Sequence, residues 1–350
     1  MKFTSTRSVL FCFVFIIYSH FAGAQSGQDA GAYLSSLNEK QQEVSEDAMS
    51  YVSAVAHGKS ARKIEKRRNE LLNSIVQARA MAKNMRPFDG DTSLKSAAYN
   101  HYNLTYLVIK EDYGKIVDME EIAEQSYDNM EAYLAAQEKA NEKLDQANEE
   151  VEKAYKDFAA RHNIHLVEDQ SKLSKMTDLV NKMEKYYHGI FLIYFKSFID
   201  EKHLLEAMNK KDMNGMEQNK GALIKSSSEG LPLLAKIPSF DGDGSINISC
   251  RQLLQFYNTE AKDKMQAISD YYMKQETFDK LQKAVDSKSP SERSQQDIDK
   301  YNKGVKDINL AVQVYNKNNK ELNDLRNKFN DDWNNTVEVF FSKHTPRYRK

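Results

Sequence analysis

The chain has 350 residues, 29% of them charged, with a formal net charge of -1 and a mean hydropathy of -0.72. The length allows two domains of ordinary size, and the near-balanced charge argues against a general nucleic-acid binder. Only 5 prolines and 13 glycines interrupt it, which together with many Lys, Glu, Gln, Leu, Ala and Met residues favours long helices.

The first residues read as a targeting segment. Lys2 and Arg7 give a positive start, Val9 to Tyr18 ("VLFCFVFIIY") is an apolar stretch, and Ala22–Ala24 ("AGA") fits a small-residue cleavage site. The apolar stretch is short for a membrane span, and no stop-transfer pattern follows it. The expectation is a signal peptide at 1–24, a mature chain from Gln25 without an integral membrane span, and an extracytoplasmic location, periplasmic or at the cell surface. Cys12 lies inside the apolar stretch and lacks the small residue before it that a lipid-anchor site has. Cleavage would leave Cys250 as the single thiol, so no internal disulfide is expected.

Apolar residues spaced three and four apart then recur through the chain. The first stripe is Leu37, Val44, Ala48, Tyr51, Val55; the second is Ile64, Leu71, Ile75, Ala78, Ala82, Met85. After an acidic turn comes Leu94, Ala98, His101, Thr105, Val108, continuing near Ile116 and Met119. The fourth runs Tyr133, Gln137, Ala140, Leu144, Ala147, Val151, Ala154, Phe158. Asn163–Gln170 reads as a connection, with Ser171 capping the next helix. The fifth stripe is Leu173, Met176, Val180, Met183, Tyr187, Ile190, Tyr194, and His188–Ile199 reads as a buried central helix. The last stripe is the longest, from Ile298 through Ile308, Leu322, Arg326 and Trp333 to Phe340. Unbroken from Glu292 to Ser342 it would be roughly 75 Å long. All five prolines, Pro87, Pro232, Pro238, Pro290 and Pro346, are expected between stripes or beyond the last one.

An internal duplication is expected as well. "PFDGDTSL" at Pro87 and "SFDGDGSI" at Ser239 place Phe88 and Phe240 152 positions apart. In the same register Leu71 meets Leu223, Leu72 meets Ile224, Ser74 meets Ser226, and Leu94 meets Ile246. Further on, "DFAARH" at Asp157 resembles "VFFSKH" at Val339, 182 positions later, so the second copy carries about thirty extra residues around Pro290. The fold expected is all-α: two tandem, pseudo-equivalent antiparallel helical bundles with long helices, at 25–166 and 167–350.

The acidic turns are the one constellation with the spacing of a site. Asp89, Asp91 and Ser93, and again Asp241, Asp243 and Ser245, follow the one-three-five spacing of calcium ligands in an EF-hand loop. The remaining pattern fails: Leu94 and Ile246 stand where the loop needs Gly, and Asn100 and Gln252 where it needs a bidentate Glu. The plainer reading is a helix-starting corner. Gly90 and Gly242 then supply a positive φ, the two Phe residues plug the turn into the bundle, and Asp91 or Ser93 caps the next helix. No metal and no cofactor is therefore expected.

Other signals are weaker. His162 and His165 read as a surface loop. The pairs His165–Glu168 and His203–Glu206 read as ordinary neighbours. The basic run Lys59–Arg68 reads as a solvated helix face, with contact to phosphate groups of lipid or polysaccharide as the alternative. No catalytic motif is present.

"AYLAAQEKANEKLDQA" (Ala132–Ala147), "FAARHNIHLVE" (Phe158–Glu168) and "PFDGDTSLK" resemble a family of exported, all-helical surface proteins of spirochaetes and Bacteroidetes. The resemblance covers Tyr51 to Glu168 best. It implies a surface or periplasmic location and brings no catalytic residues. The function expected is a non-enzymatic envelope protein that binds an envelope protein or glycan, or supports structure, through its helix faces. The alternative is a periplasmic protein binding a metal or small ligand at the acidic turns.

Overall fold

The computed structural model describes residues 18–19, 30–112, 125–167 and 171–350. The expected leader apart from Tyr18 and Ser19, the positions Ile116 and Met119, residues 168–170 and the side chain of Gln137 lie outside the described residues. The protein is all-α. Its helices are α1 (Ala30–Ala56), α2 (Ala61–Asn84), α3 (Ser93–Leu107), α4 (Tyr127–Arg161), α5 (Lys172–Lys210), α6 (Met213–Ala235), α7 (Ser245–Thr259), α8 (Met265–Asp286) and α9 (Gln295–His344). A π-helical turn, Val108–Asp112, follows α3, and another, Glu260–Lys264, follows α7. A two-residue antiparallel pairing joins Tyr18–Ser19 to Leu166–Val167. The last helix has 50 residues, close to the span its stripe predicts.

The chain divides into two compact units. Unit 1 comprises residues up to Lys185 together with Glu338–Lys350, and unit 2 is Tyr186–Val337. Both α5 and α9 contribute to each.

In unit 1, α1 packs on α2, α2 on α3, and α3 on α4. The striped positions form its core: Leu37, Val44, Ala48 and Val55; Leu71, Ile75, Ala78 and Ala82; Leu94 and Ala98; Ala140, Leu144 and Phe158. Each large apolar side chain buried this way contributes about 1.5–3 kcal/mol. Beyond α9 the chain lies along α1. The Tyr348 amide donates to Ser53 Oγ at 3.0 Å, and Lys350 Nζ reaches Asp47 Oδ1 at 2.9 Å.

In unit 2, the aromatic run of α5 is buried at Phe191, Tyr194, Phe195 and Phe198. Tyr194 stacks on Trp333 of α9, with ring centroids 4.5 Å apart. Ser197 Oγ donates to Ser226 Oγ at 3.1 Å, joining α5 to α6. Cys250 is buried in α7, where burial pushes its thiol up to about 12.

Helix starts follow capping chemistry. Ser126 and Asp212 accept from the Asn129 and Gly215 amides at 3.1 and 3.0 Å, and Ser171 accepts from Ser174 at 3.1 Å. These bonds satisfy donors that a helix cannot satisfy itself. One proline departs from expectation. Pro232 lies inside α6 rather than between helices. It sits exposed in the last turn, where its missing N–H removes one bond near the fraying end and leaves the helix body intact.

Several boundaries recur at a fixed distance. α6 begins 152 positions after α2, and α7 begins and ends 152 positions after α3. The two π-helical turns stand in the same register.

Candidate functional site

The two acidic turns have the same geometry. Asp89 and Gly90 have φ of 48° and 81°; Asp241 and Gly242 have 47° and 80°. Positive φ at both central residues is what a two-residue Asp-Gly turn of type I′ requires. Phe88 and Asp91 bond each other through N···O distances of 3.1 and 2.8 Å, and Phe240 and Asp243 do so at the same distances. Asp91 Oδ1 then accepts from the Ser93 amide at 2.8 Å, and Asp243 Oδ1 from the Ser245 amide at 2.9 Å. In both turns the Asp, one residue ahead of the N-cap positions Thr92 and Gly244, takes up the first helical N–H in place of a side chain at the N-cap itself. Ser93 and Ser245 are the first residues of the helices that follow.

The carboxylates are thus already engaged. Bonds from the Ser93 amide and hydroxyl hold Asp91 below the usual carboxylate range, with Arg161 adding to the effect. Phe88 fills the turn from beneath, packed against Tyr33, Phe158 and His162 with centroids 4.8–5.3 Å apart. Phe240 packs on Tyr186 at 5.6 Å. Asp89 and Asp241, at the tips, are exposed. Among the described residues no cluster of His, Cys, Asp and Glu has the arrangement of a metal site. His162, read above as part of a surface loop, is half-buried and packs on Phe158 with ring centroids 4.4 Å apart.

A second constellation was not anticipated. Glu201 of α5, Glu260 at the start of the second π-helical turn and Arg326 of α9 meet in the core of unit 2, at 2%, 0% and 9% exposure. Arg326 Nε donates to Glu201 Oε1 at 2.5 Å, and its Nη2 donates to Glu260 Oε1. Its Nη1 donates to Asn323 Oδ1 at 2.6 Å. Tyr194 and Tyr257 border the cluster, and burial together with the Glu201 charge raises both phenols far above their ordinary range. Removing ions from water costs several kcal/mol each, offset only by close pairing and completed hydrogen bonds. The stripe containing Arg326 is legible in the sequence. Its partners lie 125 and 66 residues away, and no local pattern links them.

The third feature is a groove between α8 and α9, with a volume of about 450 Å³. Met273, Thr277, Phe278 and Leu281 line one side, and Gly304 and Ile308 the other, with Asp270, Lys274 and Asp307 supplying charge. Gly304 is what lets the helices close here: a Cβ at that position would meet Leu281 Cδ2 at 2.9 Å and Phe278 Cδ2 at 3.1 Å. Ring pairs Phe278–Tyr301 and Tyr271–Tyr315, at 5.7 and 4.5 Å, join the two helices on either side of it. Met273, Leu310 and Val314 are exposed in this hairpin.

The basic run behaves largely as a solvated face. Arg67 and Lys66 reach Glu70, and Arg68 reaches Glu65, while Lys59, Arg62 and Lys63 are exposed. Among the described residues no helix is long and apolar enough to cross a membrane. Compared with protein families, curated proteins and solved structures, the chain matches none of them.

Proposed function

We propose that the chain is a non-enzymatic, exported envelope or surface protein: a helical binding or structural module made by duplication of one unit, two helices, an acidic turn and two helices. The repeated corner supports this reading most directly. Turn torsions agree within a degree, and the flanking helices and π-helical turns keep the 152-residue register. Similar agreement between unrelated segments would require several independent coincidences. The resemblance to exported helical surface proteins and the leader at 1–24 support the location. Within this reading the acidic turns are structural corners, and the extra residues of the second copy, spread over the α8–α9 hairpin, form the partner-binding face. Its groove offers apolar side chains flanked by charge, the composition that suits a protein or glycan partner.

Fractionation of tagged protein, with pull-down from envelope extract, tests this reading. The expected result is envelope fractionation and a reproducible partner that Met273→Glu weakens. Cytoplasmic fractionation with no partner would contradict it. Metal analysis of protein purified without chelator tests the competing reading. A stoichiometric ion lost on Asp241→Ala would replace the structural corner by an ion site.

A further inference from the structure

The cluster in unit 2 has two acids and one base. Arg326 supplies one positive charge, and Glu201 and Glu260 would supply two negative charges if both ionised. Among the described residues no further cation pairs with them: Lys264, on the same π-helical turn as Glu260, pairs with Glu321 at 3.1 Å instead. A net negative charge on side chains buried this deeply is costly, because the carboxylates have given up their contact with bulk water.

The hydrogen bonds lead to the same conclusion. Arg326 occupies one oxygen of each carboxyl. Glu260 Oε2 is fully buried and receives no donor from the described side chains, and the Glu201 and Glu260 carboxyls are neighbours, both held by the one Arg326 guanidinium. Two carboxylates cannot bond each other, since each only accepts. A single proton resolves both difficulties. It turns one carboxyl into a donor to the other and brings the cluster to neutrality.

We propose that Glu201, Glu260 and Arg326 form a proton-binding site in the core of unit 2, in which one proton is shared between the two carboxyls at neutral pH. The groups facing it are Tyr194 and Glu201 of α5, Tyr257 of α7, Glu260, and Arg326 with Asn323 of α9. Tyr187 and Cys250 are near enough to Tyr194 to act on it electrostatically. Burial pushes both carboxyls above the ordinary glutamate range, the second carboxyl adds to this for Glu201, and Arg326 opposes it. The sign follows from linkage. A group whose folded pKa lies above its unfolded value contributes stability that is complete below the unfolded value, and that contribution is lost as pH rises through the folded one. Unit 2 therefore weakens toward alkaline pH, when the proton leaves and the core holds an uncompensated charge.

The infrared difference spectrum between wild type and Glu260→Gln at neutral pH tests the site. The wild type should show the carbonyl stretch of a protonated carboxylic acid that the variant lacks, because the remaining Glu201 then pairs with Arg326 as a carboxylate. Other upward-shifted acids, Glu184, Asp145 and Asp200, remain in both proteins and cancel. Glu201→Gln should give the same difference from the other side. Unfolding of the wild type alone provides a second reading, with stability falling as pH rises above neutral. A null difference spectrum, or a wild-type stability that stays level over that interval, would overturn the proposal.

Discussion

Ala48, Val108 and Leu144 are buried in unit 1; Glu201, Glu260 and Arg326 are buried in unit 2. Under the proposed duplication these become matching positions, once α1 is set against α5 at an offset of 153 residues, one more than the 152 of the turns, and α4 against α9 at 182. Tyr33 on Phe88 and Tyr186 on Phe240, at 5.3 and 5.6 Å, set α1 against α5. The π-helical turns set Val108 against Glu260. The buried Asn148 and Asn330, with the ring pairs Phe158–His162 and Phe340–His344 at 4.4 and 4.6 Å, set α4 against α9. On that proposed correspondence, one frame would take three apolar side chains in one unit and a charge triad in the other. An apolar trio tolerates changes of volume one residue at a time. A triad is interdependent, since removing Arg326 strands both carboxyls at once.

Matched substitutions on α4 and α9 separate the two cases. Arg326→Met leaves two carboxyls without their cation and should cost about 3–5 kcal/mol in urea unfolding. The corresponding Leu144→Met, a swap of similar volume, should cost less than about 1.5 kcal/mol. Equal losses would remove the contrast between the units.

The acid response gives the next largest effect. His101 of α3 is buried in unit 1, and burial lowers its pKa to about 4, opposed by a hydrogen bond with the Ala147 backbone. The neutral form is favoured in the fold, so its contribution is present above the ordinary histidine value near 6.5 and is lost as pH falls toward about 4. That shift corresponds to roughly 3 kcal/mol. His101→Gln should flatten this part of the acid limb. The limb will not vanish, since His188 in unit 2 is lowered in the same direction. An unchanged limb would show that His101 does not titrate with folding.

Smaller effects belong to the turns. Asp91→Ala and Asp243→Ala each remove a cap and should cost about 0.5–2 kcal/mol. Calcium and chelator should leave both melting curves unmoved. A calcium-dependent rise in Tm, absent in Asp243→Ala, would make the second turn an ion site.

Much of this molecule is legible in its sequence, for physical reasons. Period-3.6 stripes report a buried helix face whatever the partner is, so the cores at Leu71–Ala82 and Leu94–Val108 could be read directly. Phe-Asp-Gly-Asp is equally local: positive φ, the Asp cap and the Phe plug are properties of consecutive residues. The triad was hidden by the same logic. Glu201 continues the stripe through Tyr187, Ile190 and Tyr194, yet a charged residue there looks like its end. Arg326 lies within its stripe, but pairing at 125 residues' distance leaves no periodic trace. Glu260 opens the second π-helical turn, where the helical phase shifts away from that of the preceding stripe. The α8–α9 groove depends on Gly304, which resembles any helical glycine until Phe278 and Leu281 face it.

The most direct test replaces the whole triad by apolar residues of similar volume, Glu201→Leu, Glu260→Leu and Arg326→Met together, and follows urea unfolding against pH. If unit 2 is a frame that accepts apolar packing at these positions, as unit 1 does, the triple variant folds cooperatively. Its stability should equal the wild type's or exceed it by up to about 4 kcal/mol, and the decline toward alkaline pH should be shallower, with only the other upward-shifted acids, Glu184, Asp145 and Asp200, left to contribute. A triple variant as damaged as Arg326→Met alone would contradict the correspondence between the two units.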